Sequence, residues 1–141
     1  ALQLSALTAA RKAMRLQTGL DGKTPIDAQP SFLVVPAALE TTGEQLLTTI
    51  QPTVATDVNP FAGKLELVVD PRLDAVSTTA WYLATDPAKV DGIEYSYLES
   101  AGGPEIVTKE GFETDGMQMK VRLDFGAGAL DWRGLYKAAG V

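Results

Sequence analysis

The clearest hydrophobic pattern in the chain is a period-two alternation over residues 117–125. Its apolar positions are Met117, Met119, Val121, Leu123 and Phe125, and every residue between them is polar. A period of two is typical of a strand with one face on a core and the other in solvent. The pattern therefore predicts a core strand. The following Gly126–Gly128 predicts a change of chain direction.

The first residues, Ala1–Gln17, have the pattern of an amphipathic helix. At 100° per residue, alanine, leucine and methionine side chains fill most of one side, and polar side chains fill most of the other. No capping residue precedes the first position, so we expect the chain to enter a helix that begins further upstream. The helix is expected to end before Gly19.

The polar side of this helix carries three cations, Arg11, Lys12 and Arg15. Two interpretations are open. The face contacts phosphate groups or an acidic neighbour, or it is an ordinary solvated helix face. We keep the three residues as a candidate contact surface.

The middle of the chain predicts a second helix and most of a sheet. An apolar run at Ser31–Val35 indicates a buried strand, and Pro36 suits the first position of a helix that extends to about Ile50. Gly43 costs that helix about 1 kcal/mol relative to alanine. The other predicted strands are Lys64–Val69, Thr78–Ala84, Ile93–Leu98 and Glu105–Thr108, the last paired with residues 117–125. The fold class is α+β, a mixed or antiparallel sheet with two main helices and no visible domain boundary.

Composition restricts the chemistry open to these 141 residues. The absence of cysteine excludes disulfides and thiolate sites, and the absence of histidine excludes the usual Ser-His dyad. A net charge of −6 argues against a nucleic-acid binder, which is expected to be basic. No apolar run approaches the ~18 residues of a membrane-spanning helix, so we expect no membrane contact.

Four aspartates, Asp70, Asp74, Asp86 and Asp91, are the candidates for a hard-cation site. Their spacing matches no EF-hand. Most lie at predicted turns or caps, where Asp accepts local hydrogen bonds. We therefore predict no catalytic residue, metal or cofactor. A carboxylate-based hydrolase that uses Asp70 and Asp74 stays open as an alternative.

The aromatic residues divide into two groups. Those within predicted strands are expected in the core, namely Trp81, Tyr82, Tyr95 and Tyr97. Trp132 and Tyr136 follow the last predicted strand and have Asp131 and Arg133 beside them. Because Trp, Tyr and Arg are enriched at interface hot spots, we predict that these four residues form a subunit interface at the surface. A small protein-binding module would have the same signature.

Five blocks of sequence stand out along the chain. In order they are Phe32–Glu40 (FLVVPAALE), Asn59–Asp74 (NPFAGKLELVVDPRLD), Ala80–Pro87 (AWYLATDP), Ile93–Leu98 with Gly103-Pro104, and Val121–Gly126 (VRLDFG) with Asp131–Gly134 (DWRG). Together they resemble the C-terminal part of the major head (capsid) subunit of Mu-like phages and prophages. No block is diagnostic alone, but their common order over about residues 31–134 is fairly specific.

This resemblance implies the Hong Kong 97-type capsid fold of tailed phages. Residues 1–30 would be the end of the spine helix and a loop, residues 31–125 the axial-type domain, and residues 126–141 a return segment. An N-terminal arm, an extended loop and the start of the spine helix would lie outside this chain.

The function implied by the resemblance is structural. Copies of the subunit would form an icosahedral shell in the virion, with no chemistry required of this part. Before assembly the subunit would be in the bacterial host cytoplasm, with a prohead protease or a scaffold as further partners. Packaged DNA would be contacted only loosely, because the chain is acidic.

Overall fold

The computed structural model describes residues 1–48, 60–100, 102–111 and 115–140. The chain divides into two compact units. We call Ala1–Gly92 with Asp131–Val141 the sheet unit and Ile93–Leu130 the ladder unit. The sequence pattern indicated no such division, because both units contain strands of ordinary length. The segment boundary that we predicted after residue 125 does not coincide with either boundary of the ladder unit, Ile93–Leu130.

The fold is α+β, with two α-helices and mixed and antiparallel sheets in the described residues. The helices are α1 (Leu4–Arg15) and α2 (Glu40–Leu47). The strands are β1 (Pro30–Val35), β2 (Glu66–Val69), β3 (Trp81–Thr85), β4 (Ile93–Tyr97), β5 (Glu105–Glu110), β6 (Met117–Arg122), β7 (Phe125–Ala129) and β8 (Leu135–Ala138). The predicted α+β class, with two main helices and mixed or antiparallel sheets, is thus confirmed.

The sheet unit contains a four-stranded sheet in the order β2-β1-β3-β8. Strands β1 and β2 run parallel, whereas β1–β3 and β3–β8 are antiparallel. Leu33 lies between Leu67 and Leu83 in the register, and Leu83 is opposite Tyr136. Since side chains alternate across a strand, these residues share one face of the sheet, which we call the inner face.

The core lies between α1 and this inner face. Its buried members are Leu2, Leu7, Ala10, Met14, Leu33, Val35, Phe61, Trp81 and Leu83. The α1 residues are spaced at i, i+3 and i+7, as one face of a helix requires. The prediction of an amphipathic helix is therefore confirmed.

The ends of α1 differ from the prediction. The helix spans Leu4–Arg15 rather than residues 1–17. Gln3 precedes it in an extended conformation without a side-chain capping bond, so the expectation of a helix that begins further upstream is wrong. Leu16 closes the C-terminus. Gly19 lies beyond the helix, where its N–H donates to the carbonyl of Thr24 at 2.9 Å.

The second helix begins with a 3₁₀ turn, Ala37–Leu39, and is shorter than predicted. Ile50 lies outside the described residues. Gly43 is buried, and a Cβ atom added there would lie 2.8 Å from a methyl carbon of Leu67 on β2. The glycine that weakens helix propensity thus allows α2 to approach the sheet closely.

Asp74 joins two distant segments of the sheet unit. It lies in the 3₁₀ turn Pro71–Ala75, and its carboxylate accepts hydrogen bonds from the backbone N–H groups of Ala37 (2.8 Å) and Ala38 (3.2 Å). Those N–H groups begin the turn that leads into α2, where backbone donors have no partner within the helix. Asp74 therefore acts as a capping residue supplied from another part of the chain.

The ladder unit contains two antiparallel pairs, β4–β7 and β5–β6. The predicted pairing of residues 105–108 with residues from 117 onward is confirmed. The predicted core strand over residues 117–125 is wrong in two respects. It ends at Arg122, with Phe125 beginning β7, and its apolar residues are exposed. Gly126 and Gly128 lie within β7 and do not redirect the chain.

We expect Asp74→Ala to lower the free energy of unfolding by about 0.5–2 kcal/mol, the usual cost of a lost cap. Asp91→Ala is the matched control, because it removes the same charge from an exposed residue whose side chain makes no hydrogen bond to the described residues. Urea unfolding followed by circular dichroism measures both. Equal stability of the two variants would contradict the capping role.

Candidate functional site

The three cations predicted on α1 have different surroundings. The guanidinium carbon of Arg11 lies 4.3 Å from the ring centroid of Phe61, which is itself buried. Arg15 forms an ion pair with Asp27 at 3.0 Å. Lys12 is exposed, and together with Arg15 it lies in the last helical turn, where a cation is favoured by the helix dipole. Only two of the three side chains are therefore held in place.

Arg11 and Arg15 line a cavity of about 290 Å³, which we call the basic pocket. Lys64, which was not among the predicted site residues, lines the same cavity. The other lining residues are Gln29, Pro30, Ser31, Phe61 and Leu65. Guanidinium and ammonium groups around a small cavity suit a carboxylate or a phosphate oxygen. Lys12 is not part of this lining.

Asp131 and Arg133 form a compact structure that we call the Arg133 clasp. The carboxylate of Asp131 accepts the backbone N–H of Arg133 at 2.9 Å and its guanidinium at 3.2 Å. The Nε of Arg133 donates to the backbone carbonyl of Thr18 at 3.1 Å. The clasp therefore fastens the segment before β8 to the loop after α1.

The electrostatics of the clasp agree with this geometry. The backbone N–H of Arg133, and then its guanidinium, lower the pKa of Asp131 below its ordinary value against the opposing effect of desolvation. The Arg133 side chain is only 20% exposed. We conclude that Arg133 has a structural role, which the sequence pattern did not indicate.

Trp132 lies at the surface, as predicted, with 64% of its area exposed. The guanidinium carbon of Arg133 is 5.5 Å from its ring. Trp132 also lines an apolar cavity of about 470 Å³ on the side of the sheet opposite α1, with Val34, Tyr82 and Leu135 among its neighbours. A large exposed aromatic beside an apolar cavity is suited to contact with another protein.

Tyr136 is not in the position predicted for it. It belongs to β8 and is therefore within the sheet, not beyond the last strand. Its side chain is on the inner face, partly buried, with its ring centroid 6.2 Å from that of Trp81. Of the core aromatics predicted, Trp81 is buried, whereas Tyr95 and Tyr97 are exposed.

The carboxylates proposed for a hydrolase have structural partners. Asp70 accepts the guanidinium of Arg72 at 2.8 and 2.9 Å, which lowers the pKa of Asp70. Asp74 accepts the two N–H groups that precede α2. Within the described residues, no three acidic side chains gather as metal ligands would. No observation favours the hydrolase alternative.

In the described ranges, no helix has the length and apolarity that a membrane-spanning segment needs.

One protein family matches nearly the whole chain. The family model for phage capsid protein matches residues 1–138. The chain therefore belongs to the phage capsid protein family. Comparison with curated proteins and with solved structures gave no match. Family membership supports a structural role in the virion, within a shell made of copies of the chain.

We expect Arg133→Ala to lower the free energy of unfolding by about 1–3 kcal/mol, because it leaves the Thr18 carbonyl and Asp131 without their charged partner. Trp132→Ala should change it by about 0.5 kcal/mol or less, since that side chain is mainly in solvent. Urea unfolding of both variants measures the difference. If the two variants are equally stable, the clasp does not stabilise the fold.

Proposed function

We propose that this chain is the C-terminal part of the major head subunit of a tailed phage or prophage of the Mu-like type. Its copies would form an icosahedral shell around packaged DNA. The observation that carries the proposal is the capsid-family match over residues 1–138. The five ordered sequence blocks add the Mu-like and Hong Kong 97-type assignment. They are supported by an α+β fold of the expected class.

Each segment has a proposed place in that capsid fold. Residues 1–30 form the end of the spine helix and a loop, residues 31–125 the axial-type domain, and residues 126–141 the return segment. The pairing of β8 with β3 supports a return, because the end of the chain rejoins a sheet begun about a hundred residues earlier. The Arg133 clasp supports it as well, through its bond to Thr18.

The proposed contacts with neighbouring subunits use two surfaces of the sheet unit. One is the surface around Trp132, which Asp131 and Arg133 flank in the chain and which Tyr136 adjoins through β8. The other is the helix face of Arg11, Lys12 and Arg15, of which Arg11 and Arg15 line the basic pocket. Cations in a chain of net charge −6 suit an acidic neighbour of the same kind better than DNA.

Further partners follow from the same proposal. A scaffold or a prohead protease would act on the subunit in the host cytoplasm before the shell matures. Packaged DNA would meet the inner surface of the shell only loosely, since an acidic subunit repels phosphate.

The full-length protein, expressed alone or with its protease and scaffold, is expected to form shell-like particles. Sedimentation and negative-stain electron microscopy detect them. Absence of particles under all of these conditions would refute the capsid proposal.

In the full-length protein, Trp132→Ala should reduce the particle yield by roughly tenfold or more, because a buried interface aromatic commonly contributes about 2 kcal/mol. Leu20→Ala is the control, since Leu20 is an even more exposed apolar residue of the same unit. Circular dichroism should find both variants folded. If Trp132→Ala gives the same particle yield as the wild-type protein, Trp132 is not part of the interface. We use the single variant because Arg133→Ala would also weaken the fold.

A further inference from the structure

The ladder unit has no buried side chain among its described residues. In the β4–β7 pair, the register and the alternation of side chains put four large apolar residues on one face. They are Ile93, Tyr95, Tyr97 and Phe125. The opposite face carries only Glu94, Ser96, Gly126 and Gly128. The pair is thus strongly one-sided, like a strand pair that covers a core.

The β5–β6 pair has the same asymmetry. Its mainly apolar face contains Ile106, Met117, Met119 and Val121, with Thr108 and Glu110 opposite the two methionines. The opposite face is mainly charged and polar, with Glu105 and Arg122, Val107 and Lys120, and Lys109 and Gln118 as cross-strand pairs. Arg122 lies 3.5 Å from Glu105 and 3.3 Å from Asp124, so these three charged groups have partners within the unit.

Contacts within the ladder unit do not bury the two apolar faces. The rings of Tyr97 and Phe125 are 5.4 Å apart, and those of Tyr95 and Tyr97 are 6.1 Å apart. Nevertheless, the eight apolar side chains of the two faces remain 45–71% exposed. A two-stranded ladder is marginally stable by itself in water, and it gains independent stability when its apolar face packs against another element. An additional layer over these faces would therefore stabilise the unit.

The exposed apolar area of the ladder unit is large enough for contact with another protein. Half-exposed side chains of this size leave on the order of 100 Å² each, so each pair presents roughly 400 Å² of apolar face and the two pairs offer roughly 800 Å² if both are covered. A specific protein interface of standard size covers about 800 Å² on each partner. Exposed apolar patches of this size mark interaction sites on soluble proteins.

We propose that the apolar faces of β4–β7 and β5–β6 are covered by a second copy of this chain in the assembled shell. The inference rests on the proposed capsid function, which provides many copies at fixed spacing. Residues 93–130 contain seven acidic and three basic residues, a net charge of −4, which disfavours DNA as the occupant. A second copy offers both the apolar area and, in the basic pocket of its sheet unit, cations to complement that charge.

Methionine oxidation tests the proposal without a substitution. The chain has three methionines, of which Met117 and Met119 lie on the apolar face and Met14 is buried in the sheet unit. Free full-length subunits and purified particles would be treated with dilute hydrogen peroxide, and the sulfoxides would be quantified by mass spectrometry. Met14 is the internal control, because it should react slowly in both states.

We expect oxidation of Met117 and Met119 to be fast in the free subunit and slower by roughly tenfold or more in particles, since assembly removes the sulfur from solvent. Equal rates in the two states would overturn the proposal. So would slow oxidation in the free subunit, because another segment of the same protein would then cover the face.

Substitutions on opposite faces of β6 provide a second test. Met119→Lys would bury an unpaired ammonium in the proposed interface and should reduce the particle yield by roughly tenfold or more. Gln118→Lys adds the same charge to the opposite face and should assemble normally. Both should remain folded by circular dichroism, since both positions are exposed.

The result separates this inference from the capsid proposal. If wild-type protein forms particles and Met119→Lys assembles as well as Gln118→Lys, the ladder interface is wrong and the capsid function stands. If wild-type protein forms no particles, the capsid proposal itself fails.

Discussion

Packing of α1 against the inner face of the four-stranded sheet is the contact on which the sheet unit depends. Leu7, Ala10 and Met14 share a buried cluster with strand residues such as Leu33 and Trp81. Alanine in the middle of this row lets the helix approach the sheet closely. The proposed site follows from this contact, because α1 brings Arg11 over Phe61 and the next loop presents the Thr18 carbonyl to Arg133.

The ladder unit has the same alternation of apolar and polar residues, but its described residues provide no layer to cover it. In the sheet unit, α1 packs against the apolar face of the sheet and buries it. In the ladder unit, an equally regular face remains in solvent, and the opposite face of β5–β6 carries paired charges. The same alternation of apolar and polar residues thus gives a buried face in the sheet unit and an exposed face in the ladder unit. The difference is whether the chain itself supplies the second layer, which suggests that in the ladder unit a neighbour does.

Sequence patterns predicted those elements whose signal is local. The helical period of α1, the apolar run of β1 and the β5–β6 pairing were all found. The burial of residues 117–125 was wrong because a period of two identifies an apolar face but not what covers it. Tyr136 was misplaced because β8 is only four residues long and its partner, β3, lies about fifty residues away. Lys64 joins Arg11 only through the tertiary fold.

A subunit that assembles must be soluble before assembly and must gain free energy from contacts that are individually weak. The ladder unit is suited to both requirements. Its net charge of −4 would oppose premature association of free subunits, while its apolar faces would supply the burial that favours a correctly placed neighbour. In a closed shell each subunit makes several such contacts at once, so modest contacts add to a stable assembly without any one becoming irreversible. Exposed apolar faces, which would be a liability in a monomeric protein, are therefore consistent with a capsid subunit.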